Sequence, residues 1–315
     1  MEDYPKNLAE LESWFSDEAA CRAYLAELRW PEGFVCPRCG CTQTWATSRS
    51  LLVCSACQYQ ASVTAGTIFE GTRKPLTMWF RAAWWVCAQK NGASALGLQQ
   101  ILGLGSYKTA WTWLHKLRRA MVRPGRDRLS GRVEVDETFI GAVEKGHIGR
   151  QHGNKALVVV AAQEDGRGIG RIRMKAIDRV SQANLHGFIR ESVTPGSTVV
   201  TDGFKLYRNM DKLGYVHEYS VVMKSQRTAS DLLPRVHRVI SLLKRWLMGT
   251  HQGAVSREHL GYYLDEFTFR FNRRTSRSRG KLFYRLLQQA VSIEPVPYRA
   301  MVKHVRGKKP RNHHM

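Results

Sequence analysis

The chain has 315 residues, with 49 Lys and Arg against 26 Asp and Glu, a net charge of +23 and 43% hydrophobic residues. That apolar content is too high for a disordered chain. No run approaches the roughly 18 uncharged apolar residues of a membrane span, and the acidic N-terminus lacks the apolar core of a secretory leader. The excess positive charge points to a polyanionic partner, nucleic acid first.

The charge is uneven. Residues 1–31 carry seven acids and three bases, whereas 106–132 carry eight bases against Asp127 alone. Residues 299–315 add six Lys or Arg and three His with no acid. A charged run is most often a solvated face, so the pattern supports a nucleic-acid partner without locating it.

Residues 7–29 read as two short amphipathic helices, with Ser16 capping the second. CPRCG at 36–40 and CSAC at 54–57 form two Cys-x2-Cys knuckles separated by fourteen residues. A chain without a leader is expected in a reducing compartment, where disulfides are rare. Cys36, Cys39, Cys54 and Cys57 therefore read as a closed tetrahedral zinc shell that holds a fold together. Cys41 competes as a ligand but breaks the paired pattern. Cys21 and Cys87 lie in apolar helical stretches and read as buried thiols. Short strands are expected around TQTWATS and YQASVTA.

Three helices follow: LTMWFRAAWWVCAQK, ASALGLQQILGLG and SYKTAWTWLHKLRRAM, the last with Ser106 as its cap. The second and third, joined through a Gly-containing turn, resemble a helix-turn-helix whose recognition helix spans 106–121. A plain three-helix packing unit fits as well, and the tryptophans read as core. From 132 the period changes to that of strands. RVEVDETFIGA, KALVVVAAQED and IGRIRMKAID are expected as strands, with the turn signal EDGRG between the last two. A helix over SQANLHGFIRESV, strands STVVTDG and YVHEYSVV, and helices from 236 onward complete the order. It is close to that of a ribonuclease H-like domain, though other α/β folds share it.

Asp136 lies inside an apolar strand and Asp202 ends another. A carboxylate so placed is costly unless it binds something, and two on neighbouring strands can share a hard divalent cation such as Mg²⁺ or Mn²⁺. Two turn-capping aspartates are the plainer alternative. Glu134 alternates onto the face of Asp136, as an extra ligand or an exposed acid. His237 follows Asp202 with 34 residues between them, and Lys244 comes seven later on the same helical face. Taken alone, a His on a helix with apolar neighbours is more often a packing residue or a DNA contact than a ligand.

Together, RWPEGFVCPRCG at 29–40, VEVDETFIG at 133–141, VVTDGFKLY at 199–207, HRVISLLKRWLMGTHQG at 237–253 and HLGYYLDEFTFRFNRR at 259–274 make the chain resemble a known family. It is similar to the bacterial insertion-sequence transposases that join an N-terminal zinc ribbon to a ribonuclease H-like, DDE-type catalytic domain. The resemblance implies a metal-binding triad at Asp136, Asp202 and His237, with Lys244 as the basic residue that follows it. His237 stands where the family usually has Glu, an Asp-Asp-His variant. Imidazole favours Mn²⁺ or softer ions over Mg²⁺. Asp231, Asp265 and Glu266 are the fallback third ligands.

The resulting expectation is an α/β fold: a mixed five-stranded, ribonuclease H-like sheet with flanking helices, preceded by a four-cysteine zinc ribbon and a helix-turn-helix-like domain. The expected divisions are 1–30 N-terminal helices, 31–72 ribbon, 73–125 helical DNA-binding domain, 130–292 catalytic domain and 293–315 basic tail. The expected activity is metal-dependent strand cleavage and strand transfer at element ends, with structural Zn²⁺ and catalytic Mg²⁺ or Mn²⁺. The expected DNA contacts are Lys108, Lys116, Arg118, Arg119, Arg245, Arg270, Arg273 and Arg274. Element ends, target DNA and further copies of the chain are the expected partners, in the cytoplasm at the nucleoid and away from any membrane. A domesticated or inactive DNA binder derived from such an element, and a structure-specific nuclease on the same fold, are the competing readings.

Overall fold

The computed structural model describes residues 3–122, 125–141, 155–219, 228–253 and 255–303. The chain divides into two compact units, Met1–Arg123 with Ser276–Met315, and Pro124–Thr275. This division puts 276–292 with the N-terminal unit, whereas the catalytic domain expected from sequence runs on to 292. Among the described residues no helix is long and apolar enough to cross a membrane.

The first unit opens with α1 (Leu8–Trp14) and α2 (Glu18–Arg29). The cap of α2 is Asp17, not Ser16: Asp17 has the extended backbone of a cap, and its carboxylate accepts from the Ala20 amide at 2.8 Å. Strands β1 (Thr44–Ala46), β2 (Leu52–Cys54) and β3 (Gln60–Ala61) form an antiparallel ribbon. Helices α3 (Leu76–Ala88), α4 (Ala95–Ile101) and α5 (Tyr107–Ala120) follow. Ser106 occupies the cap position of α5 but makes no side-chain cap bond. Pro75 cannot cap α3 with a side chain, and the Glu18 carboxylate of α2 accepts from the Leu76 and Thr77 amides instead. An acid at a helix N-terminus pairs with orphan donors and the helix dipole.

The core of this unit is aromatic. Phe15 meets Tyr24 and Phe80 edge-on at 4.9 and 4.7 Å, and Trp79 stacks on Trp113 at 3.9 Å. α10 (Arg279–Ala290) joins this core through Phe283, and α11 (Tyr298–Lys303) follows it. Gly280 lies where a Cβ would overlap the Pro5 carbonyl, so only glycine fits that close approach.

The second unit is built on β4 (Arg132–Ile140), β5 (Ala156–Asp165), β6 (Gly168–Ile177), β7 (Thr198–Thr201) and β8 (Val216–Tyr219). The strand order is β6-β5-β4-β7-β8. β4 pairs antiparallel with β5, and β5 with β6, whereas β4–β7 and β7–β8 are parallel. Three antiparallel strands, a helix, then parallel strands on the other side of the first make the ribonuclease H-like fold. α6 (Gln182–Ser192) covers one face with Leu185, Phe188 and Ile189 against Val133, Val135 and Val199. α7 (Ala229–Leu232), α8 (Pro234–His251) and α9 (Leu260–Asn272) follow β8 in the chain. α8 and α9 cover the opposite face, on Val158, Val160, Val200 and Ile172.

The register of this sheet sets the functional geometry. Arg132 pairs with Thr198 and Glu134 with Val200, an offset of 198 − 132 = 66. The same offset carries Asp136 to Asp202, since 202 − 136 is also 66. Asp136 thus continues β4 two residues past the last of these pairs, and Asp202 follows directly on the end of the neighbouring strand β7. Asp136 also opposes Val160, which belongs to the core under α8.

Candidate active site and metal centres

In the ribbon, the four Sγ atoms of Cys36, Cys39, Cys54 and Cys57 lie within 4.8 Å of one another. Cys36–Cys57 and Cys39–Cys54 are 3.7 and 3.5 Å apart. Four thiolates about 2.3 Å from a tetrahedral zinc sit roughly 3.8 Å from each other, so the donor set fits Zn²⁺. Each knuckle is closed in the same way. Gly40 N donates to Cys36 O at 2.9 Å and Gln58 N to Cys54 O at 3.0 Å, and both donors have positive φ, +76° and +58°. Cys41 Sγ stands outside this set, 3.6 Å from Ser55 Oγ.

In the second unit, Asp136 lies on β4, Asp202 directly after β7, and His237 in the first turn of α8. His237 Nε2 is 3.5 Å from Asp136 Oδ2, with side chains 28% and 14% exposed. Asp202 Oδ1 accepts from the Phe204 amide at 2.9 Å, which fixes the carboxylate at the strand end. Burial holds the His237 imidazole below its usual pKa, against the pull of Glu134 and Asp202, so the ring is neutral with a lone pair to give. Lys244, two turns along α8, is lowered by burial and by Lys155, while Asp136 pulls it up.

Sequence reasoning leaves Glu134 open between ligand and exposed acid, and it is neither exposed nor unoccupied. It is 4% exposed. Its Oε2 accepts from the Arg235 and Val236 amides at 2.8 and 2.9 Å, and its Oε1 from Arg235 Nη1 at 3.1 Å. Glu134 thus caps α8, whose own cap position, Leu233, offers no side-chain acceptor. Because Pro234 opens the helix and has no N–H, Arg235 and Val236 present the first orphan donors. Strand β4 therefore carries both Asp136 and the anchor that sets His237 over it. Sequence reasoning does not single out Tyr207 either. It is fully buried, and its hydroxyl donates to Glu137 Oε2 at 2.8 Å, on the α6 side of β4. Burial, with Glu137, Asp136 and Asp202, pushes that phenol well above its usual pKa.

Several expected DNA contacts lie elsewhere. Arg118 is 2% exposed and donates to Ala93 O at 3.2 Å, so it is a core arginine and cannot face a phosphate. Lys116 is half-buried, 5.9 Å over the Trp79 ring. Arg119 is half-buried, while Lys108 is exposed at the start of α5, 3.9 Å over the Tyr298 ring. Arg245 is exposed on α8. Arg270 pairs with the fully buried Glu266 at 2.9 Å, which engages both Arg270 and that fallback ligand in structural contacts. Arg273 stacks on Phe269, and Arg274 binds the Gly170, Ile169 and Phe271 carbonyls. Of the other fallback acids, Asp231 accepts from the Thr228 amide at 2.9 Å, and the charge of Asp265 acts on Arg126. The basic tail from 304 lies outside the described residues.

Residues 128–272 match the family model of the ISXO2-like transposase domain, and 16–60 match that of the transposase zinc-ribbon domain. The chain belongs to the zinc-ribbon insertion-sequence transposases. This transposase is similar to an uncharacterized protein in the transposable element ISH50 of Halobacterium salinarum. The two are 27% identical over 277 residues, covering 81% of this chain and 91% of the relative. Among solved structures it matches a chain of the Mos1 strand transfer complex at 15% identity and a TM-score of 0.28, covering 68% of this chain and 75% of that one.

Proposed function

We propose that the transposase binds the ends of its own element, cuts a DNA strand there and joins the freed end to target DNA. Asp136, Asp202 and His237 would hold the divalent cation. The observation that carries this reading is the approach of His237 Nε2 to Asp136 Oδ2 at 3.5 Å, with Asp202 directly after β7, the strand beside β4. Two carboxylates and one neutral imidazole suit Mn²⁺ as well as Mg²⁺. When bound, such a cation supplies Lewis acidity at phosphorus and a more acidic water.

The chain's own groups do the rest. Glu134 fixes the start of α8, and with it His237. Lys244 meets a non-bridging phosphate oxygen with its ammonium. In cleavage a water oxygen bonds to phosphorus and the P–O3′ bond breaks, leaving a 3′-hydroxyl. In joining, that hydroxyl forms the new P–O bond, and the target strand's 3′-oxygen departs with the proton. Lys108 and the exposed start of α5 contribute to holding element ends, largely through phosphate. Bringing two ends together requires at least two copies of the chain, acting on DNA in the cytoplasm.

The test uses labelled duplex containing the DNA that borders the gene, in Mg²⁺ and in Mn²⁺. Nicking and joining are expected from the wild type and lost in Asp202→Ala and His237→Ala. Activity retained by His237→Ala removes His237 from the metal set. Binding without cutting in either metal, with cutting restored by His237→Glu, establishes the DNA-binding alternative.

A further inference from the structure

Beside Lys244, the end of β4 and the face of α8 enclose a cavity of about 470 Å³. That volume falls in the range of about 300–1,000 Å³ typical of small-ligand sites. Its walls include Ile140, Leu247, Met248 and Val255. Lys155 and Lys244 share the lining, and among the described residues no carboxylate does. An apolar slot rimmed by cations matches a flat apolar ring carried on an anionic chain.

Three details sharpen the match. Lys244 links the cavity to the acidic site, since the charges of Asp136 and Lys155 both act on its ammonium. Met248 is 64% exposed while its neighbour Leu247 is 3% exposed, which leaves a thioether at the mouth. Sulfur of this kind packs well against ring systems. The chain then turns through Gln252 and Gly253, with φ of +50° and +69°. A Cβ on Gly253 would meet Met248 Sδ at 3.2 Å, so the bare glycine leaves the thioether its place. The Gln252 amide offers both a donor and an acceptor to a base edge.

We propose that this cavity receives one unstacked nucleobase of the strand being cut, next to the scissile phosphate, with Lys155 and Lys244 on the flanking phosphates. The inference rests on the strand-cutting reading of Asp136, Asp202 and His237. Taking a base out of the stack lets the phosphate beside it turn into the site, and the apolar walls offset the lost stacking.

The test uses the full-length protein and duplexes bordering the gene, with 2-aminopurine walked one position at a time across the border. Wild type is expected to raise fluorescence several-fold at one position. Met248→Glu, which puts a carboxylate at the mouth, and Val255→Trp, which fills the cavity, should abolish that rise, while Met248→Leu keeps it. Cutting by the first two variants should fall about tenfold or more on normal DNA. It should recover on duplex lacking that one base. No response at any position while gel shift shows binding overturns the proposal, as does an undiminished response from Met248→Glu and Val255→Trp. Cutting by wild type without a fluorescent position defeats the pocket alone. A fluorescent position without cutting in either metal supports the pocket and defeats the strand-cutting reading.

Discussion

Replacing Glu134 should loosen the start of α8 and slow DNA cleavage together. Its carboxylate accepts three bonds of 2.8, 2.9 and 3.1 Å, two from helix amides and one from Arg235. Glu134→Gln keeps the shape but replaces one oxygen with an NH₂ that faces donors. Charge-assisted bonds are roughly twice as strong as neutral ones, so the loss is about 2 kcal/mol. At about 2–4 °C per kcal/mol for a protein of this size, the Tm falls by roughly 4–8 °C. Glu134→Ala also strips Arg235 of a buried partner, a loss of about 3–5 kcal/mol. Its remaining ion pair with Glu164, at 2.8 Å, pulls that figure toward the lower end. The assay pairs thermal unfolding with strand cleavage, measured well below either melting temperature. His237 follows Val236 directly, so cleavage by Glu134→Gln should drop by about tenfold or more from misplacement alone. A Gln variant that melts and cuts like wild type would refute the idea that this carboxylate sets the helix.

Removing zinc with a chelator should release one ion per chain from the four-cysteine set and melt the ribbon, seen as a lower first transition in calorimetry. In the zinc-loaded protein at pH 8, alkylation followed by mass spectrometry should leave Cys21 unmodified, because burial pushes its thiol up to about 12. Gly280→Ala should destabilise the first unit by several kcal/mol, because the new methyl overlaps the Pro5 carbonyl; a Tm equal to wild type would show that the approach relaxes freely. Lys108→Ala should weaken DNA binding and reduce the slope of log K against log salt by about one. Arg118→Ala should instead cost about 2 kcal/mol of stability and leave that slope unchanged.

Some of the spacing that sequence shows is also spacing in the fold. The separation of 66 from Asp136 to Asp202 equals the offset of the β4–β7 register, which runs from Arg132↔Thr198 to Glu134↔Val200. The cysteine knuckles are legible for the same reason, since each depends on residues three apart held by a local turn. Helical periodicity puts Lys244 on the same face of α8 as His237.

What sequence could not decide was where long polar side chains go. Arg118 looks like one more base on a basic helix, yet it is buried with its guanidinium on Ala93 O. Arg270 looks like a phosphate contact, yet it pairs with a buried glutamate one turn earlier. Glu18 and Glu134 cap helices that begin 58 and 100 residues further along the chain. Chain-local patterns fix which residues have chemistry and how strands and helices repeat. Only the tertiary structure decides which of those groups meets solvent and which meets an orphan donor, because that depends on partners brought close by folding.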